Sequence, residues 1–198
     1  IMNLQKAPPL VTEKVKKLAI KILSTLDRPV VLVGLMGSGK SAVGRRAAKL
    51  LGVSFRDSDQ IIVKEAGISI KEIFELAGEK KFRDLELKVL ANLVSPSPQI
   101  IATGGGAFCQ EQVTSLLLRR SYVVWLKAPP ETLLSRIRSI KSRPLLNNAH
   151  PLATLTELYQ KRKKYYQKAQ MHVDTDGLST HKATEALLHA LDTHLARR

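Results

Sequence analysis

Apolar positions along this chain follow two rhythms, one helical and one of short uninterrupted runs. Val11, Val15, Leu18, Ile22 and Leu26 stand at helical spacing with lysines between them, which predicts an amphipathic helix over residues 10–26. Pro29-Val-Val-Leu-Val-Gly34 is an apolar strand run ending in glycine, and residues 40–51 return to helical spacing until Gly52 can end the helix. Val53 to Arg56 is a short strand leading into Asp57-Ser58-Asp59. Ser69-Ile-Lys-Glu72 has capping-box spacing and opens a helix ending near Gly78; a further helix covers Glu79 to Leu93, before the loop Ser95-Pro-Ser-Pro98.

The same alternation continues to the C-terminus. Strand Ile100 to Thr103 runs into Gly104-Gly105-Gly106, a helix around Gln110 to Arg119 leads to strand Tyr122 to Leu126, and Pro129-Pro130 suits the start of another helix. Residues 141–153 form a basic loop. Thr154-Leu-Thr-Glu157 repeats the capping-box spacing and is expected to start the helix carrying Arg162. Met171 to Val173 is a short strand, and a last amphipathic helix covers 180–196. Five strands alternating with helices describe an α/β fold, a parallel sheet covered on both faces.

Composition narrows the classes. At 198 residues with 44% apolar content the chain can bury a full core, and nothing in it approaches the roughly 20-residue apolar stretch of a spanning helix. Pro8, Pro9 and nearby charges interrupt the apolar run a signal peptide needs. One cysteine, Cys109, leaves no intrachain disulfide and no cysteine-based zinc site, so a reducing, cytoplasmic setting is expected. The formal charge of +15 suits a nucleic-acid binder or an enzyme handling several anionic groups. Much of it lies in helical stretches, Lys14 to Lys21 and Lys161 to Lys164, where a solvated basic face is the simpler account.

Gly34-Leu-Met-Gly37-Ser38-Gly39-Lys40-Ser41 matches the phosphate-binding signature G-x-x-x-x-G-K-[ST], with a strand before it and a helix after it. Glycines let backbone N–H groups close on an anion, and the helix N-terminus from Lys40 and Ala42 onward adds its positive end. Lys40 can reach the β- and γ-phosphates of ATP, and the Ser41 hydroxyl can ligate Mg²⁺. The loop alone leaves motor-type hydrolysis and transfer to a nucleotide open.

Asp57 and Asp59 follow the second strand, at the sheet edge where such folds bind ligands. If the strand continued, they would share one face. One can join the metal shell; the other can hold an acceptor hydroxyl and take its proton. Three consecutive glycines at the end of the third strand suit amides approached closely by a ligand. Arg83 and Arg143 do not stand out from surface arginines by pattern, although Arg143-Pro144 stiffens a loop long enough to act as a lid.

Taken together, residues from about 30 to 176 resemble the shikimate kinase family. The matching blocks are the phosphate loop, Phe55-Arg-Asp-Ser-Asp59, Gly78-Glu-Lys-Lys-Phe-Arg-Asp84, Ala102-Thr-Gly-Gly-Gly106, Arg143-Pro-Leu-Leu146 and Leu158-Tyr-Gln-Lys-Arg162 with Tyr165 or Tyr166; Val173-Asp-Thr175 resembles the last strand. The resemblance implies a three-layer P-loop NTPase fold with a five-stranded parallel sheet in order 2-3-1-4-5, and transfer of the γ-phosphoryl of ATP to the 3-hydroxyl of shikimate. It implies Asp59 as catalytic base and binder of the substrate hydroxyls, with Lys40 and Arg143 acting on the transferring group. Arg83 and Arg162 would hold the carboxylate, with Gly104, Gly105 and Gly106 against the substrate. Gly37, Ser38, Gly39, Lys40, Ser41, Ala42, Arg136 and Arg143 would bind ATP, with the Asp174 to Gly177 loop near the base. Ser41 and Asp57 would serve Mg²⁺.

On this resemblance residues 1–28 are an N-terminal extension and 29–198 a single domain, with an acceptor region at about 57–90 and a lid at about 139–153. A monomer without nucleic-acid or membrane partners is the simplest expectation. A sugar-acid kinase is the nearest rival, because arginines on a carboxylate suit it too.

Overall fold

The computed structural model describes residues 11–140 and 143–198. Residues 1–10 of the expected extension and 141–142 of the expected lid lie outside the described residues.

Strands β1 (Val30–Val33), β2 (Ser54–Asp57), β3 (Gln99–Ala102), β4 (Tyr122–Lys127) and β5 (Met171–Asp174) form one sheet in the order β2-β3-β1-β4-β5. Every neighbouring pair is parallel, with Val31 beside Ile101 and Val123 at the centre. The expected order 2-3-1-4-5 is the observed one. Alternation along each strand sorts the apolar residues between two layers. Val30 and Leu32 of β1 and Val124 of β4 join a core with helices α1 (Glu13–Thr25), α2 (Lys40–Leu51) and α8 (Thr180–Leu195). Val31, Val33, Ile101, Val123 and Trp125 point to the other layer, which α5 (Glu111–Arg120), α6 (Pro130–Arg136) and α7 (Pro151–Tyr166) help to build.

The N-terminal helix belongs to the first layer. Thr12 caps it through a 3.3 Å bond from Val15 N–H, and Val15, Ala19 and Ile22 are buried against α2 and α8. Among the described residues no helix is long and apolar enough to cross a membrane.

The helices α3 (Ser58–Ala66) and α4 (Ile70–Leu93) carry the acceptor region and share a small core of Ile62, Ile73, Phe82 and Val89. Ser69 and Glu72 make the expected capping box. The expected division near Gly78 is a sharp break inside α4, where φ is 80° and ψ is 170°, a conformation glycine adopts without a Cβ penalty.

Three local details go beyond the pattern or against it. The pattern at 58–66 did not suggest a helix, yet Asp57 caps α3 by accepting from the Asp59 and Gln60 N–H groups. Asp57 and Asp59 therefore do not share a strand face: one ends β2 and the other lies in the first turn of α3. The helix carrying Arg162 starts at Pro151, not at Thr154, because proline at the first helical position needs no N–H partner. Thr154 bonds back to the His150 carbonyl at 3.1 Å from inside the helix.

Candidate active site

The phosphate loop lies between β1 and α2, where backbone geometry rather than side-chain capping prepares the helix start. Gly39 is left-handed and offers no side-chain cap, so the first N–H groups of α2 remain directed into the loop. Gly37 has φ near 80°, and a Cβ there would stand 2.3 Å from the Leu133 carbonyl oxygen. The loop is thus clamped against α6. Ser38 is buried, whereas Ser41 and Ala42 are exposed at the helix start.

Lys40 folds over this loop, its Nζ donating to the carbonyls of Gly34 at 2.7 Å and Leu35 at 2.9 Å. Burial, aided by the charges of Arg143 and Arg162, lowers its pKa to about 8, while Asp59 and Asp57 act in the opposite direction. The four charges therefore converge on one place. Ser41 Oγ donates to Asp57 Oδ2 at 3.1 Å. A hydroxyl and a carboxylate in contact form an oxygen set suited to a hard cation that keeps several waters and takes further oxygens from phosphate. Among the described residues no cluster of three or more His, Cys, Asp or Glu side chains offers a protein-only metal cage.

On the other side of the loop, the three glycines form a floor that three functional side chains touch. A Cβ on Gly104 would stand 2.7 Å from Asp59 Oδ1; one on Gly105 would be 3.3 Å from an Arg162 guanidinium nitrogen; one on Gly106 would be 2.6 Å from an Arg83 nitrogen. Any side chain there would displace the group it faces. Asp59 Oδ1 is buried with no hydrogen-bond partner among the described residues. Burial first, and the neighbouring Asp57 second, push the Asp59 carboxyl above the usual range, against the pull of Lys40, Arg83 and Arg143. An orphaned, basic carboxylate beside two arginines is suited to receive a hydroxyl proton from an anionic ligand.

Arg83 is held from behind. Its NH1 donates to Glu86 Oε2 at 2.8 Å, and Gln110 donates to the same oxygen at 2.8 Å. Glu86 is wholly buried, and that burial raises its pKa although Arg83 opposes the shift. Sequence reasoning missed Glu86. The sign was present: it shares a helical face with Phe82, Val89 and Leu90, where a charge is out of place unless paired. Gln110 carried no such sign.

Arg143 is exposed at the head of the 3₁₀ turn Pro144–Leu146, whose Leu146 is fully buried and pins the segment to the core. His150 is exposed, in keeping with a surface position for that residue. Arg136 ends α6, donating to Thr175 Oγ1 at 3.0 Å and to its carbonyl at 2.6 Å. Thr132 donates to Asp176 at 2.6 Å, so α6 and the 174–177 loop face each other as one wall.

The family model for shikimate kinase matches residues 36–192. Shikimate kinase of Caulobacter vibrioides is 46% identical over 164 residues, 83% of this chain and 82% of that protein. The chain belongs to the shikimate kinase family. The solved structure of shikimate kinase from Acinetobacter baumannii in complex with shikimate is similar with a TM-score of 0.81 and 35% identity, over 88% of this chain and 98% of that one. A gluconokinase from Sinorhizobium meliloti, 17% identical over 87% of this chain and 95% of its own, shares the fold at a TM-score of 0.54. Membership of the shikimate kinase family makes this chain a kinase of aromatic amino-acid biosynthesis, with a nucleotide as one substrate.

Proposed function

We propose that in this shikimate kinase Asp59, Lys40 and Arg143 carry the transfer of the γ-phosphoryl of ATP to the 3-hydroxyl of shikimate, giving ADP and 3-phosphoshikimate. The observation that carries these roles is the glycine floor, which sets the Asp59 carboxylate and the guanidiniums of Arg83 and Arg162 side by side next to Lys40.

Shikimate has a carboxylate and three hydroxyls, and the floor offers the complementary chemistry. Arg83 and Arg162 hold the carboxylate, each guanidinium matching its two oxygens better than a lysine could. Gly104, Gly105 and Gly106 let the ring approach the backbone. Asp59 accepts the hydrogen bond of the 3-hydroxyl and takes its proton as the oxygen attacks. Phosphoryl transfer relies on positioning and charge neutralisation more than on covalent steps by the protein. Lys40 leaves its carbonyl partners for the β- and γ-oxygens of ATP, and Arg143 closes over the same oxygens as the lid excludes water.

Gly37, Ser38, Gly39, Ser41 and Ala42 cradle the phosphates, and Arg136 with the 174–177 wall borders the base. Ser41 and Asp57 would hold Mg²⁺, which when bound would draw charge from the phosphate oxygens. The protein acts as a cytoplasmic monomer, with residues 1–28 as an N-terminal extension whose helix packs on the kinase domain and neither nucleic acid nor a membrane as partner.

Asp59→Asn tests the central role. It keeps the shape of the side chain and removes the base, so turnover should fall by about 10²- to 10⁴-fold while ATP binding persists. Near-normal turnover in the variant would remove Asp59 from the chemistry.

A further inference from the structure

Tyr166 ends α7, four residues after Arg162, and the chemistry above does not use it. Its side chain is almost fully buried, 1% exposed, and its ring packs on Trp125 of β4 with centroids 5.7 Å apart. The phenol donates a hydrogen bond to the carbonyl of Gly105, the middle residue of the glycine floor. Arg162 stands over that same glycine, one helical turn earlier on the same helix. The charge of Arg162 and the thiol of Cys109 lie close enough to influence the phenol as well. One glycine thus meets the phenol through its carbonyl and the arginine across its Cα position.

We propose that Tyr166 is a positioning residue for the acceptor: its phenol locks α7 to the Gly105 carbonyl and so fixes the height and angle of the Arg162 guanidinium above the floor. The inference rests on the reading of Arg162 as a ligand of the shikimate carboxylate. A guanidinium on a flexible stem loses rotamer freedom when it binds, and a helix anchored to the floor beneath it lowers that loss. Burial raises the phenol well above its ordinary pKa, so it stays neutral and able to donate across the working range of the enzyme. Satisfying the Gly105 carbonyl alone would be a structural role. Because Arg162 stands over the same glycine from one turn earlier on the same helix, the effect is selective for the acceptor.

Tyr166→Phe keeps the ring and its packing on Trp125 while removing the hydroxyl. The shikimate KM should rise by up to about tenfold, the effect of one buried hydrogen bond, with kcat and the Mg-ATP KM changed by less than about twofold. In an Arg162→Ala background, the same substitution should change the shikimate KM by less than about twofold, because the group it acts through is gone. Tyr159→Phe on the same helix, whose ring also faces Trp125, should leave all three constants unchanged.

Thermal melts supply a second readout if Tyr166→Phe lowers stability: the rise in Tm produced by shikimate should shrink while that produced by ATP persists. A normal shikimate KM in Tyr166→Phe beside a raised one in Arg162→Ala would overturn the inference alone. So would a full tenfold effect persisting in the Arg162→Ala background, or shikimate and ATP weakened equally. A normal shikimate KM in Arg162→Ala would overturn the carboxylate role of Arg162 and the inference with it.

Discussion

At the scale of single residues, the site is built by close approach. Gly104 has no special backbone angle; what excludes a side chain is the Asp59 carboxylate 2.7 Å from where a Cβ would be. Gly104→Ala should displace the base by a fraction of an ångström to an ångström and lower kcat by up to about 10²-fold, with nucleotide affinity retained. Isothermal titration with a non-hydrolysable ATP analogue beside steady-state kinetics would check both halves; unaltered kcat would mean that the carboxylate accommodates the methyl. The phosphate loop was legible in the sequence because its function resides in eight consecutive residues. Arg83 and Arg143 were not legible by pattern, since an arginine becomes a ligand only through what faces it in three dimensions. Glu86 and Tyr166 show the same limit. Glu86 holds Arg83 three residues earlier on the same helix, and Tyr166 ties the helix of Arg162 to Gly105 of another element.

Among the elements, α1 contributes through packing. Ile22 is fully buried between α1 and the layer of α2 and α8, in a core layer separate from the one that holds Ala107 and Tyr166 beside the glycine floor. Ile22→Ala should lower stability by about 2–5 kcal/mol while leaving kcat and both KM values near normal below the melting transition. Chemical denaturation with parallel kinetics tests this, and an unchanged unfolding midpoint would mean that α1 is not cooperative with the rest. The helical spacing of 11–26 made this element readable, as the apolar runs did for the central strands. α3 was harder to see, because its nine residues bury only Ser58 and Ile62 and so present almost no stripe. Its boundaries were nonetheless marked by Asp57 as cap and Gly67 after the last turn. At α7 the capping-box spacing misled, since Pro151 starts the helix one turn before Thr154 could cap it.

Over the whole molecule, electrostatics sets the working pH. Lys40 has its pKa lowered to about 8, so free enzyme loses this charge as pH rises through that value. Asp59 has its pKa raised, so the base is lost as pH falls through a value above the ordinary carboxylate range. The profile of kcat/KM should therefore be a bell, with an alkaline limb near pH 8 that moves upward in the kcat profile, because bound phosphates favour the ammonium form. A flat alkaline side to pH ~10 would mean Lys40 keeps its ordinary pKa. The parallel sheet was foreseen from alternation, and its order 2-3-1-4-5 from the family resemblance; periodicity alone does not order strands. Part of the charge of +15 lies in Lys40, Arg143 and Arg162, which influence one another at the site.

The most direct test is ADP release with Mg-ATP, measured with shikimate, gluconate, AMP or no acceptor. Strong stimulation by shikimate alone, lost in Asp59→Asn, is the predicted result. Equal stimulation by gluconate or AMP, or none by shikimate, would contradict the assignment of the glycine floor as a shikimate site.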